Sequence, residues 1–143
     1  MNAKGKQVLL AQYRIKQAKE SLEEAEYLFT GEKSPRSVIN RAYYAMYYST
    51  LALIVFENHI TSKHTGVIAF FNKNYIKEAI FPNDMGRWIN KAFELRQTED
   101  YREYSELTAG EVEPYLDYTR IFIEKVEEYL LEKHFQSGKD TGK

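Results

Sequence analysis

A long segment in the first half of the chain is apolar or aromatic on nearly every side of a helix. It follows Ser34-Pro35 and reads SVINRAYYAMYYSTLALIVFEN, with no acidic residue before Glu57. Serine before proline favours a helix start, because serine caps the first turn and proline is tolerated in it. A helix without a polar face is stable only where other elements surround it. The sequence therefore predicts a long central helix in the middle of a helical bundle.

Helical periodicity predicts four further helices around this centre. Apolar residues recur every three or four positions between residues 7 and 30, where Gly31 ends the helix, and again from about residue 111 to residue 133. Two more helices, the first of them short, are expected between these. Their candidate cap residues are Ser62 or Thr65 for the short helix and Asn83 or Asp84 for the next.

The predicted fold is an all-α, up-and-down helical bundle of four long helices plus a short one. The length of 143 residues favours one domain, over residues 1–133, because a chain of this size builds a single core. Residues 134–143 have no periodicity and are expected to form a disordered C-terminal tail.

Composition and motif content exclude several classes of protein. The chain has no cysteine, which excludes disulfides, thiolate catalysis and cysteine-ligated metals. It has no glycine-rich nucleotide loop, no H-E-x-x-H and no paired aspartates, so neither a metal nor a cofactor is expected. No apolar run is long enough to cross a membrane, and no signal peptide is recognisable, so the expected location is the cytoplasm. Because 20 basic residues nearly balance 21 acidic ones, binding of nucleic acid would depend on a local patch.

Arg96 interrupts the apolar stripe of the fourth predicted helix. Met85, Ile89 and Ala92 precede it at spacings of three and four, and Asp100 follows one turn later. A guanidinium at a core-facing position needs a carboxylate, a phosphate or backbone oxygens. Two interpretations stay open, namely a structural ion pair with Asp100 or a contact to the phosphate of a nucleotide or an RNA backbone.

Arg41 raises the same question in the central helix, where Tyr44 lies three residues further on. Its expected partner is Asp100 or Glu99, if the second and fourth helices pack together. Arg41 and Arg96 would then share one carboxylate, and the excess positive charge would attract a phosphate. Tyr44 either packs half-buried with a satisfied hydroxyl or contributes to a surface on which bases stack.

His64 lies at the start of the third predicted helix. Its ring either caps backbone amides there or faces an anion at the positive end of the helix.

Three segments together resemble a known family. They are RAYYAMYY at residues 41–48, KHTGV at 63–67 and LRQTEDY at 95–101, and they occur in the order found in small stand-alone prokaryotic HEPN domains (higher eukaryotes and prokaryotes nucleotide-binding). The resemblance covers about residues 8–132. It implies a helical bundle that dimerises and is often encoded beside a minimal nucleotidyltransferase, as in toxin–antitoxin pairs.

The resemblance also implies candidate catalytic positions. Active family members are metal-independent ribonucleases whose motif is an arginine separated by four to six residues from a histidine. Arg96 matches the arginine, and the histidine position holds Tyr101, Arg102 or Glu103, so the motif histidine is absent. Tyr104 lies one place from the tyrosine that is modified in one branch of the family. Because histidine exchanges protons near neutral pH and tyrosine does not, this departure favours binding over cleavage.

Three hypotheses about function follow. The first is a HEPN-like module that binds a partner protein, a minimal nucleotidyltransferase, and also nucleotide or RNA phosphate, as part of a toxin–antitoxin-like pair. Its candidate phosphate-binding residues are Arg96, Arg41, Tyr44, Asp100 and Tyr104. The second is a metal-independent endoribonuclease toxin, with catalytic candidates Arg96, Tyr101 and His64. The third is a purely structural, self-associating bundle.

A homodimer is expected as well. The chain has 12 tyrosines and 8 phenylalanines, which is more aromatic surface than a small bundle core readily encloses.

Overall fold

The computed structural model of the chain describes residues 2–57, 63–99 and 107–135. Within these ranges the regular elements are all helices. They are α1 (Ala3–Thr30), α2 (Pro35–Ile54), α3 (His64–Phe71), α4 (Asn83–Glu99), α5 (Ala109–Val112) and α6 (Pro114–Leu130). Wider, π-helical turns extend α3 over Asn72–Ile76 and α6 over Leu131–Phe135. The predicted all-α helical bundle is confirmed, with α1, α2, α4 and α6 as its long helices.

The central position predicted for α2 is confirmed. This helix packs against α1, α4 and α6, and the side chains of Ile39, Tyr43 and Met46 are completely buried. Its start is also as predicted, since Ser34 Oγ accepts a hydrogen bond from the Ser37 amide and Pro35 is the first helical residue. None of the helices in the described ranges has both the length and the apolar character needed to cross a membrane.

Small side chains bring α1 close to α2. Ala11, Ala18 and Ala25 recur at seven-residue intervals on the buried face of α1 and are completely buried. Side chains of this size let the two helix backbones approach closely, so the long α1 lies along the central helix. Gly31 ends α1, with its amide donating to Tyr27 O at 2.9 Å.

The start of α3 differs from its predicted position. The helix begins at His64, directly after Lys63 and without a side-chain cap, so Thr65 lies inside the helix and does not cap it. Ser62, the other candidate cap, lies outside the described residues. His64 is therefore the first helical residue.

The last predicted helix is two helices. Thr108 Oγ1 accepts from the Glu111 amide at 3.2 Å, and Glu111 Oε1 accepts from the Thr108 amide at 2.8 Å. This capping box starts the one-turn α5. Pro114 then starts α6, because proline has no N–H to continue the hydrogen bonding of the preceding turn.

The C-terminal end of α6 is ordered further than expected. His134 and Phe135, assigned to a disordered tail, belong to the helical turn Leu131–Phe135. The His134 ring stacks on Phe56 with centroids 3.8 Å apart, and its Nδ1 lies 3.0 Å from Lys4 Nζ. Contacts with two distant parts of the chain order this turn, and such contacts leave no periodicity in the local sequence. Residues 136–143 lie outside the described part of the chain.

Candidate functional site

Arg96 of α4 is held by two neutral side chains of α2. Its Nε donates to Asn40 Oδ1 at 2.9 Å, and its Nη2 donates to Tyr44 Oη at 3.2 Å. The guanidinium carbon lies 5.3 Å from the centre of the Tyr43 ring and 5.1 Å from that of the Tyr44 ring, so the cation also faces aromatic surface. These contacts orient the half-buried guanidinium without neutralising it.

The charge of Arg96 is not paired within the described residues. No carboxylate in residues 2–57, 63–97 or 107–135 forms an ion pair with it. Asp100, the carboxylate expected beside Arg96, lies outside these ranges, as do Tyr101 and Tyr104. In the described structure the guanidinium is therefore positioned by neutral groups, an arrangement suited to binding an anion.

His64 enters the same site from α3. Its Nδ1 lies 2.7 Å from Tyr43 Oη, and its ring stacks on Tyr47 with centroids 4.1 Å apart and planes 3° from parallel. The edge of Tyr44 completes the contact at a centroid distance of 5.8 Å. Three tyrosines of one helix thus hold the imidazole, and two of them, Tyr43 and Tyr44, also contact Arg96.

Burial determines the protonation states in this cluster. Burial lowers the pKa of His64, and the nearby charge of Arg96 lowers it further. Burial also raises the pKa of Tyr43 far above its usual value of 10.0. At neutral pH the imidazole is therefore neutral and the Tyr43 hydroxyl keeps its proton. With Nδ1 bonded to Tyr43, the other ring nitrogen of His64, Nε2, is the one left for a ligand.

Arg41 faces a different neighbour from the one expected. Its Nη1 pairs with Glu24 Oε1 of α1 at 3.1 Å. The guanidinium also lies 5.3 Å from the Tyr44 ring centre, but its ion-pair partner is Glu24 of α1. Glu24 was not among the partners predicted for Arg41, and those partners, Asp100 and the Glu99 side chain, lie outside the described part of the chain. Glu24 is the partner because α1 packs along α2 beside this position, which the local pattern did not reveal.

A small cleft opens beside Arg96 at the first turns of α2. Its volume is about 220 Å³, and its lining residues are Arg36, Ser37, Asn40 and Arg96. Sequence analysis missed Asn40 and Arg36 as site residues. A signal was present, because Asn40 is a polar residue in a largely apolar helix and lies one turn before Tyr43 and Tyr44.

Comparison with known proteins agrees with this fold. A model of the HEPN domain family matches residues 11–129. The chain is 32% identical over 130 residues to a Thermotoga maritima protein named "UPF0332 protein", covering 91% of this chain and 96% of the relative. It is also similar to two Methanocaldococcus jannaschii proteins, each named a "Putative toxin". The first is 34% identical, and the match covers 88% of this chain and 85% of the relative. The second is 33% identical, and the match covers 82% of this chain and 87% of the relative.

The protein is an all-α bundle in which Arg96 of α4 and His64 of α3 meet the tyrosines of the central helix α2. The chain belongs to the HEPN domain family, and the resemblance of the three sequence segments is confirmed.

Proposed function

We propose that this chain is the HEPN component of a toxin–antitoxin-like pair and that its Arg96 site binds the phosphate of RNA. The observation that carries the proposal is the half-buried guanidinium of Arg96, held at 2.9 Å by Asn40 and at 3.2 Å by Tyr44. Both partners are neutral, so the positive charge has no counterion among the described side chains. A guanidinium fixed in this way still has three N–H donors for phosphate oxygens.

The neighbouring rings suit RNA better than an isolated phosphate. Tyr44 is only partly buried, and it contacts Arg96 and the ring of His64. Aromatic rings beside a cation provide stacking surface for unpaired bases, and such stacking tolerates any base. We therefore expect binding of short single-stranded RNA with little sequence preference.

The test is RNA binding measured by fluorescence anisotropy in EDTA between 50 and 200 mM salt. Affinity should fall steeply with salt, because phosphate contacts release counterions. Arg96→Ala should weaken binding by about tenfold or more, and Arg96→Lys should recover only part of the loss. Arg87→Ala is the matched control, since Arg87 is an exposed arginine of the same helix that pairs with Asp84. Unchanged binding by a folded Arg96→Ala variant would contradict the proposal.

His64 favours a second candidate function, metal-independent cleavage of RNA. Cleavage needs a neutral base that takes the proton of a 2′-hydroxyl while charge develops on the phosphate. Burial and Arg96 keep His64 neutral. When its Nδ1–H donates to Tyr43 Oη at 2.7 Å, Nε2 is the unprotonated nitrogen that accepts the proton, beside a cation able to stabilise the developing charge. His64 would supply the histidine that is absent after Arg96.

Cleavage and binding are separated by one pair of variants. If the chain cleaves RNA in EDTA, His64→Ala should abolish cleavage and leave RNA binding nearly unchanged, whereas Arg96→Ala should reduce both. Slow or absent cleavage by the unmodified chain would leave binding as the function of the site.

The proposal includes a protein partner. The resemblance associates such HEPN chains with a minimal nucleotidyltransferase, and two relatives carry the name of a toxin. Exposed apolar residues on α1, among them Leu9 and Tyr13, offer a surface for a second protein. Co-purification of a tagged copy of this chain with a co-expressed minimal nucleotidyltransferase tests the pairing, and elution of the two as separate species would contradict it.

A further inference from the structure

The cleft next to Arg96 has an unusual lining. Arg36 and Asn40 lie one turn apart on α2, Ser37 lies between them, and Arg96 reaches the cleft from α4. Among the described residues, those that line its volume of about 220 Å³ include two arginines and no acidic side chain. This described lining therefore carries two positive charges that none of its members offsets.

The hydrogen-bond acceptors of the cleft are already in use. Asn40 Oδ1 accepts from Arg96 Nε at 2.9 Å, which leaves the two amide protons of Asn40 Nδ2 for another partner. Ser37 Oγ accepts from the Ser34 hydroxyl at 2.9 Å, so its own proton is available to donate. Arg36 is exposed, and it forms no recorded ion pair within the described ranges. The described lining therefore offers mainly donors and positive charge, which favours an anion that is rich in acceptors.

We propose that this cleft is a subsite for a terminal phosphate group of RNA. A phosphomonoester carries about two negative charges at neutral pH and three acceptor oxygens, whereas an internal phosphodiester carries one charge. Two guanidiniums, a hydroxyl and an amide match the monoester in both charge and donors. The inference rests on the proposed function, since Arg96 is shared, and it adds Arg36 as the residue that recognises the end of the strand.

The experiment compares three short RNAs of one sequence, with a 5′-phosphate, a 3′-phosphate or hydroxyls at both ends. The unmodified chain should bind one of the two phosphorylated RNAs about tenfold more tightly than the hydroxyl RNA. Arg36→Ala should remove this preference, so that the phosphorylated and the hydroxyl RNAs bind with equal affinity. Arg87→Ala should keep the preference, because Arg87 is an exposed arginine that does not line the cleft. Arg36 is itself exposed, so its replacement does not endanger folding.

The outcomes separate this inference from the function on which it rests. Equal binding of all three RNAs, with binding still lost in Arg96→Ala, would overturn the terminal-phosphate subsite and leave the proposed function standing. An equal loss for all RNAs in Arg36→Ala would make Arg36 an ordinary backbone contact and would also overturn it. If a nucleoside monophosphate binds as tightly as the phosphorylated RNA, the ligand of the cleft is a free nucleotide and the proposed recognition of an RNA end is overturned. Loss of RNA binding in none of the variants would contradict the proposed function itself.

Discussion

Arg41 and Arg96 both lie close to the Tyr44 ring, yet Arg41 forms an ion pair and Arg96 is held by neutral side chains. Arg41 pairs with Glu24, and the two side chains are 31% and 57% exposed. We expect Arg41→Ala to lower the free energy of unfolding by only about 0.2–1 kcal/mol, as for other exposed ion pairs. A buried pair, the arrangement that the sequence alone suggested, would cost about 3–5 kcal/mol. Urea unfolding distinguishes the two, and a loss above about 3 kcal/mol would contradict the exposed pairing.

His64 predicts a dependence of stability on pH. Burial and Arg96 lower its pKa in the folded chain below 6.5, so the unfolded chain binds the proton more readily. The resulting stability is fully present above about pH 6.5 and is lost as the pH falls through the folded pKa. Burial and Lys4 lower the pKa of His134 in the same direction. The melting temperature should therefore be lower at pH 5 than at pH 7.5.

The contribution of His64 is isolated by substitution. The difference in melting temperature between the two pH values should shrink in His64→Asn, because the group that titrates is gone. His134→Asn serves as the matched control and should remove a separate part of the difference. An undiminished difference in both variants would show that neither imidazole is protonated on unfolding.

At the scale of elements, the absence of a side chain at Gly86 lets α4 pack closely against the turn that follows α3. A Cβ at this position would lie 2.6 Å from Asn72 Oδ1 and 3.2 Å from Ile76 Cγ1. Asn72 is not free to move away, since its Nδ2 donates to Ile68 O and Asn90 Oδ1. Because α4 carries Arg96 and α3 carries His64, this close packing also bears on the separation of the two site residues.

Gly86→Ala should therefore lower the free energy of unfolding by about 1–3 kcal/mol, although alanine favours helix formation. The matched control is Gly110→Ala in α5, where the nearest atom to the new Cβ is Thr108 Oγ1 at an ordinary 3.9 Å. That variant should be neutral or slightly more stable. Equal stability of the two variants in urea would mean that the α3–α4 contact relaxes without cost.

At the scale of the whole molecule, apolar side chains are concentrated on the surface of the N-terminal half of α1. Leu9 and Tyr13 are 52% and 54% exposed, and Leu10 borders a groove of about 300 Å³ that also contains Leu51 and Ile54. We expect this surface to be covered by a second protein molecule. In the absence of a partner, light scattering at tens of micromolar should show self-association.

Substitution on this surface tests the expectation. Tyr13→Glu should weaken self-association without lowering the melting temperature, because the side chain is exposed and a charge there disfavours an apolar contact. Tyr27→Glu is the control, since Tyr27 is exposed toward the other end of α1. A clean monomer before any substitution would contradict self-association and would leave the surface to a different partner.

The sequence by itself determined the helices and their arrangement around a centre. The apolar segment after Ser34-Pro35 has no polar face, and only a central helix satisfies such a pattern, so the position of α2 followed from local chemistry. Caps and prolines act within one turn, and for that reason the start of α2 and the end of α1 at Gly31 were readable. The sequence signal was weakest where two helices meet without a long loop, at α5 and α6.

Only the tertiary structure decided which side chains form the site. His64 contacts Tyr43 because α3 packs on α2, and Arg96 contacts Asn40 because α4 packs on α2. Neither contact can be recognised from the spacing of residues along the chain. Arg41 turned out to pair with Glu24 for the same reason, since a long side chain takes the partner that the neighbouring helix presents. Periodicity records which face of a helix is buried, whereas the identity of the neighbour on that face is a property of the packed fold.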